Sequence, residues 1–308
     1  WQVTSEAGSG EALFTYEAKS VVKQHAHTAN ENGKCTTCDM QVYVAVLTKA
    51  DGTTEKVSTL EEGLTAAAAN EGSTLKLLCD VDLRGELYLR VNSGKFTFEL
   101  AGFSITGKSQ YGVIWVSNTA DITIRNGKLI NICKDATQDG GHAIIVYGGK
   151  LTLDGVDLTG SSYGDAQCYS VEVSGGGKLT VLSGSFTGAI AVTMTSETES
   201  TLKIISATLN NGIQFEYVNF SSTVITNDEV YEIVKSFIAD GSVLLDANGK
   251  AIDITDSAYW KISGRQYAFE YTGAATVHAH NVSEWIIDTL PALFREGLRH
   301  GVCSECRE

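Results

Sequence analysis

Two short runs near the ends of the chain carry the residue types that hold metals. His25-x-His27 is followed by Cys35-x-x-Cys38, and His278-x-His280 by Cys303-x-x-Cys306, with His300 as a spare imidazole. Two imidazoles and two thiolates from adjacent turns complete a tetrahedral shell, the arrangement of structural zinc, and Gly33 just before Cys35 suits a tight knuckle. A closed four-ligand shell leaves no position for water, so such a metal would hold a fold together and hydrolyse nothing. The rival reading is a disulfide within each Cys-x-x-Cys. Loops that short are strained and easily reduced, and the paired histidines would then have no role. Cys79, Cys133 and Cys168 each adjoin an apolar strand and read as small buried side chains rather than catalytic thiols. Neither a Ser-His-Asp or Cys-His pairing nor a GxxxxGK[ST] loop can be made out.

A second set of residues offers a contact surface. If Ile114, Ile144, Val171, Ile190 and Ile213 point inward, alternation turns Trp115, Ile145, Glu172, Ala191 and Gln214 outward as a ladder, with Ser117, Tyr147, Ser174, Thr193 and Glu216 beside it. Flat aromatic faces next to carboxylates and amides make a surface that grips sugar rings. Trp115, His142, Tyr147, Glu172 and Glu216 are the expected contact residues. Loops entering these strands add Asp135, Asp139, Tyr163, Asp165 and Tyr169. Two carboxylates at a suitable separation can serve as acid and base for glycoside cleavage, so Asp139, Asp165 and Glu172 are the candidates if the chain is an enzyme, and an Asp cluster can hold calcium. The plainer alternative is that acidic and aromatic side chains on a solvent-facing ladder only keep the stacked strands soluble. The carboxylates form no tight motif, which puts that plainer reading ahead of binding and further ahead of catalysis.

These residues must be positioned by the elements between the two metal-like runs. From about Leu75 to Tyr217 the apolar residues alternate in short runs broken by Gly, Asn and Ser, a strand signal. The runs Phe96-Thr97-Phe98, Ile122-Thr123-Ile124, Leu151-Thr152-Leu153, Leu179-Thr180-Val181 and Leu202-Lys203-Ile204 resemble one another and recur at coil-length steps. A second set, from Val113–Val116 to Ile213–Phe215, sits between them at a similar period. Several strands per coil with a long self-similar period is the signature of a parallel β-solenoid; a sandwich has short strand spacing but no such longer repeat. Residues 53–72 read as a helix capped by Ser58 with Glu61 as reciprocal partner, its core at 58–70 covering the first coil. A second helix is expected at 227–239, capped by Thr226, Asn227 and Glu229 and closed by Gly241, followed by strands at Val243–Leu245, Ala251–Ile254 and Tyr267–Tyr271.

Composition supports this reading. The chain has 308 residues, with 31 Gly, one Pro, 43% apolar and only 19% charged residues, so it folds and turns many corners. Thirty-seven acidic against 23 basic residues leave a net charge of −14, which argues against a nucleic-acid partner. No apolar run reaches the roughly 18 residues a bilayer span needs, so membrane insertion by this segment is not expected. Trp1, Phe14-Thr15-Tyr16 and His25-Ala26-His27 recur in order as Trp260, Phe269-Glu270-Tyr271 and His278-Ala279-His280, as in a cut through a tandem array. The expected organisation is an end strand of a preceding repeat in 1–24, a Cys/His zinc-knuckle-like segment in 25–50, the β-solenoid in 51–225, a closing cap in 226–277 and a second Cys/His repeat in 278–308.

The run from His25 to Cys38 followed by the apolar Val42–Leu47, and the tail with His280-Asn281-Val282-Ser283-Glu284-Trp285, Pro291, Gly297, Arg299 and Cys303-Ser304-Glu305-Cys306, resemble the small Cys/His knuckles of large surface proteins of gut and oral Gram-positive bacteria. The chain departs from their usual pattern at His25, where a Cys is common, and at Leu293, where the tail repeat has another Cys. The resemblance implies a mainly β fold, a right-handed parallel β-helix of the pectin-lyase-like kind, with capping helices and small terminal knuckles. It also implies an extracellular, secreted or wall-anchored location within a longer multi-module chain. The resulting expectation is a surface interaction module that contacts a glycan or a host surface or matrix protein. An enzyme that cleaves polysaccharide is one alternative, and a passive stalk is another.

Overall fold

The structure, a computed structural model, describes residues 25–83, 88–133, 141–161, 169–223, 225–279, 282–289 and 298–303. The strand expected in 1–24 lies outside them. Two compact units divide the chain between Val42 and Tyr43.

The second unit is a parallel β-solenoid of about five turns. One sheet stacks Thr74–Leu77, Lys95–Glu99, Asp121–Asn131, Lys150–Thr159, Lys178–Thr187 and Thr201–Ile204 in parallel. A facing sheet stacks Leu89–Val91, Ile114–Ser117, Ile144–Tyr147, Tyr169–Ser174, Ala189–Thr195 and Ile213–Val218. The repeated triplets meet in register: Phe96, Ile122, Leu151, Leu179 and Leu202 form one inward row, and Phe98, Ile124, Leu153, Val181 and Ile204 the next. On the facing sheet Leu89, Ile114, Ile144, Val171, Ile190 and Ile213 form a third row, none more than 2% exposed. Each inward side chain therefore packs on a like neighbour about 4.8 Å above and below it, which is how successive coils bury one continuous core. Parallel register between coils rules out the antiparallel sandwich.

Both ends change to antiparallel pairing. Ala45–Thr48 and Thr54–Val57 close the first turn. At the other end, Gln266–Tyr271 and Trp260–Ser263 extend one sheet, while Ala275–Ala279 and Ser242–Asp246 extend the other. A separate hairpin pairs Val282–Thr289 with Leu298–Cys303.

Helix α1 spans Leu60–Ala68, shorter than the sequence suggests. Its N-cap is Thr59, whose hydroxyl accepts from the Glu62 amide, so Ser58 and Glu61 do not form the cap. The start is delayed because residues 54–57 are taken by the hairpin strand, turned at Gly52. Leu60, Leu64 and Ala67 are buried, and the helix packs against the strands of the first turns. Helix α2 spans Asn227–Lys235, with the expected reciprocal cap: Thr226 accepts from the Glu229 amide, and the Glu229 carboxylate accepts from the Thr226 amide at 2.7 Å. That bond holds the Glu229 carboxyl below its ordinary range. The helix stops at Lys235, four residues earlier than expected. Gly241, at φ +77°, turns the chain between Ala239 and Ser242 instead of ending the helix directly. Of the expected strand Ala251–Ile254, only Ala251 bridges Leu245. Thr226→Ala should lower stability by about 1 kcal/mol, read as a shift in the urea midpoint at unchanged slope.

Candidate functional site

The first unit is built around His25, His27, Cys35 and Cys38. Asn30 organises its turn: its side-chain oxygen accepts from the Asn32 and Lys34 amides, and Gly33 takes φ +74°. Ala29 then bridges Cys35 and Lys34 bridges Gln41, while the Cys35 carbonyl accepts from the Asp39 amide. This folding brings His25 Nε2 to 3.2 Å from Cys35 Sγ, and His27 Nδ1 to 3.5 Å from Cys38 Sγ. One ligand atom from each of the four lies within 4.8 Å of the others. Donors on a tetrahedral zinc, with bonds of about 2.0–2.3 Å, stand roughly 3.3–3.8 Å apart. The four residues fit a metal. Cys35 and Cys38 are free thiols, not a disulfide. The His27 ring, then the Thr37 and Cys38 amides and the His25 ring, lower the Cys35 thiol to about 5, which leaves a thiolate ready to ligate at neutral pH.

Of the second Cys/His set, the structure describes His278 and the backbone of Cys303. His278 is buried in the strand Ala275–Ala279, opposite Val243, whereas His25 precedes any strand. Val282 pairs with Cys303, as Ala29 bridges Cys35, so in both copies the first Cys stands opposite the residue two after the second His. His280 and Cys306 lie outside the described residues, and so do Asp135, Asp139, Tyr163, Asp165 and Cys168. Those carboxylates carried the calcium expectation and two of the three acid–base candidates. Cys133 is buried and unbridged, in keeping with its reading as a small apolar side chain, while Cys79 is half-buried.

On the outer face of the solenoid the expected ladder forms. Trp115 pairs with Ile145, Ile145 with Glu172, Glu172 with Ala191, and Ala191 with Gln214. It is not an unbroken exposed stripe, because Ile145 and Ala191 are only 7% and 6% exposed. Tyr147 stands out at 52% and Glu216 is also exposed.

Glu172 lines a depression of about 310 Å³ together with His142, Tyr169, Thr193, Gln214 and Glu216, and with Ala191 and Val192. His142 Nε2 is 3.3 Å from one Glu172 oxygen, and the Ser174 hydroxyl donates to the other at 3.0 Å. His142 and Tyr169 occupy equivalent places on successive coils, each two residues before its inward residue. Their rings stack at 5.1 Å and 9°, about one strand spacing. Two devices hold this pair. Buried Asn131 donates to the His142 carbonyl at 2.7 Å and to the Ser109 carbonyl at 2.6 Å. Gly160 makes room for the Tyr169 backbone, because a Cβ there would lie 1.9 Å from the Tyr169 carbonyl oxygen.

Two rungs away, Trp115 is half-buried and does not stand free as a flat face. Tyr88 and Tyr111 lie 5.9 and 6.1 Å from it, and the Arg90 guanidinium sits 5.5 Å over its ring. Arg90 is its register partner on the neighbouring strand. The Trp115 indole nitrogen is buried and has no hydrogen-bond partner among the described residues. Tyr88, Tyr111 and Arg90 escaped the sequence reading, although Arg90 could have been found by extending the ladder one coil back.

No protein-family model matches the chain, and neither a curated protein nor a solved structure matches it. Fold and site together therefore define the class alone: a parallel β-solenoid with a Cys/His knuckle able to bind a metal. No helix among the described residues is long and apolar enough to cross a membrane.

Proposed function

We propose that this chain is an extracellular interaction module whose solenoid face binds a neutral glycan, with zinc in the His25–Cys38 knuckle. The observation that carries the reading is the depression around Glu172, walled by the stacked His142 and Tyr169 and lined by carboxylate, amide and hydroxyl groups. Sugar hydroxyls donate to carboxylates such as Glu172 and Glu216, and sugar ring faces pack on aromatic rings. Glu172 and Glu216 in the wall, on a chain of net charge −14, repel uronates and sulfated sugars. Neutral chains are therefore favoured over acidic ones. Two thiolates and two imidazoles favour zinc over the oxygen-seeking calcium and magnesium. The likeness of the knuckle run to Gram-positive surface repeats supports placement in a longer wall-associated chain, and the shared register of Ala29–Cys35 and Val282–Cys303 supports a second metal site at the tail.

A glycan array with purified protein tests the reading. Retention of neutral glycans, weakened at least about tenfold by Glu172→Gln with unchanged thermal stability, is the expected result. Preference for acidic glycans would contradict it, and failure of every glycan to bind would leave a passive stalk.

A further inference from the structure

Beyond the first depression there is a second one of about 400 Å³, lined by Ala258, Tyr259, Lys261, Glu270, Tyr271, Thr272 and Gly273. It is made by the returning segment that pairs antiparallel with the last solenoid strand. Gln214, in the wall of the first depression, is the register partner of Glu270, in the wall of the second, and the Gln214 amide donates to the Glu270 carboxylate at 3.4 Å. The two depressions thus share a polar partition. Lys261 is paired with Glu270 at 3.2 Å, so the far depression presents no uncompensated cation. Tyr259 and Tyr271, with rings 5.4 Å apart and set edge to face at 78°, line it where they pack against the apolar core.

From the Glu172 strand to the edge strand Trp260–Ser263 there are four strand-to-strand steps, or about 19 Å at roughly 4.8 Å each. Along that line Glu172, Gln214 and Glu270 are polar, with Ala191 between the first two, and aromatic side chains line the depression at each end. A single small sugar fills one depression and leaves the other empty. Only an extended chain crossing the strands occupies both.

We infer that the ligand is a linear oligosaccharide laid along the stacking axis, with the Tyr259–Tyr271 depression as its second subsite. This rests on the glycan reading above and assigns function to a segment the sequence had marked only as a closing cap. Two linked contacts raise affinity for a ligand long enough to reach both, and for no other.

The test uses cello-, xylo-, chito- and laminari-oligosaccharides, each as disaccharide and hexasaccharide, titrated calorimetrically into the whole chain. For the series that binds, the hexasaccharide is expected at least about tenfold tighter than the disaccharide. A Lys261→Ala, Thr272→Ala double variant, at two exposed positions that line only the second depression, is expected to erase that advantage and leave disaccharide affinity unchanged, whereas Glu172→Gln weakens both. Equal affinity at both lengths, or a double variant that behaves as wild type, would overturn the second subsite and leave the glycan reading standing. Failure of all four series at both lengths would overturn the two together.

Discussion

Cys35→Ser will remove the metal from the amino-terminal knuckle and with it the ordered structure of residues 25–42, while the main thermal transition of the solenoid stays in place. The reason lies in what the knuckle lacks. Cys35 carries the one buried side chain among its described residues, and its turns otherwise rest on a few exposed hydrogen bonds around Asn30 and Gly33. A segment this short cannot bury enough apolar surface to offset the backbone entropy of ordering it, so a cross-link must supply the difference. Structural zinc in small peptides contributes about 10–16 kcal/mol of apparent binding free energy at neutral pH, far more than such a segment needs. Elemental analysis and amide exchange check this: wild type should hold zinc and protect the Cys35 and Asp39 amides, and the serine variant should lose both. Retained protection without metal would mean that the hydrogen bonds suffice.

Phe186→Ala is expected to destabilise the solenoid by about 3–5 kcal/mol. Phe186 is fully buried and stands in the inward row between Leu158 and Leu209, its register partners on the coils before and after. In a stack where each coil touches only its neighbours, a cavity there loses contacts on both sides and weakens two interfaces at once. Chemical denaturation gives the measurement. A loss below about 1 kcal/mol would show that the coils close around the void, contrary to the rigid like-on-like packing described above.

The coil repeat was legible because each coil spends similar triplets on the same job. Ile122-Thr123-Ile124 and Leu151-Thr152-Leu153 differ by almost nothing, and once they are aligned, the outward parity of Trp115, Glu172 and Gln214 follows from the two-residue period. Burial on the outer face was not legible, since parity says where Ile145 and Ala191 point but not what covers them. The Tyr88–Tyr111–Trp115 cluster was missed because Tyr88 and Tyr111 precede their strands and meet only when two coils are stacked. The second depression depends on a return of the chain 56 residues after Gln214, and no local pattern announces that pairing. The amino-terminal Cys/His group able to hold a metal was visible from residue types and spacing, yet the similar motifs at the tail gave no hint that His278 would be drawn into a buried strand.

The binding face can be tested most directly by titrating the hexasaccharide that the whole chain retains against wild type and Glu172→Gln, with the melting curve of each recorded alongside. Saturable binding by wild type, at least about tenfold weaker in the variant at an unchanged melting temperature, is the expected result. Equal affinity for the two proteins would contradict a binding face centred on Glu172.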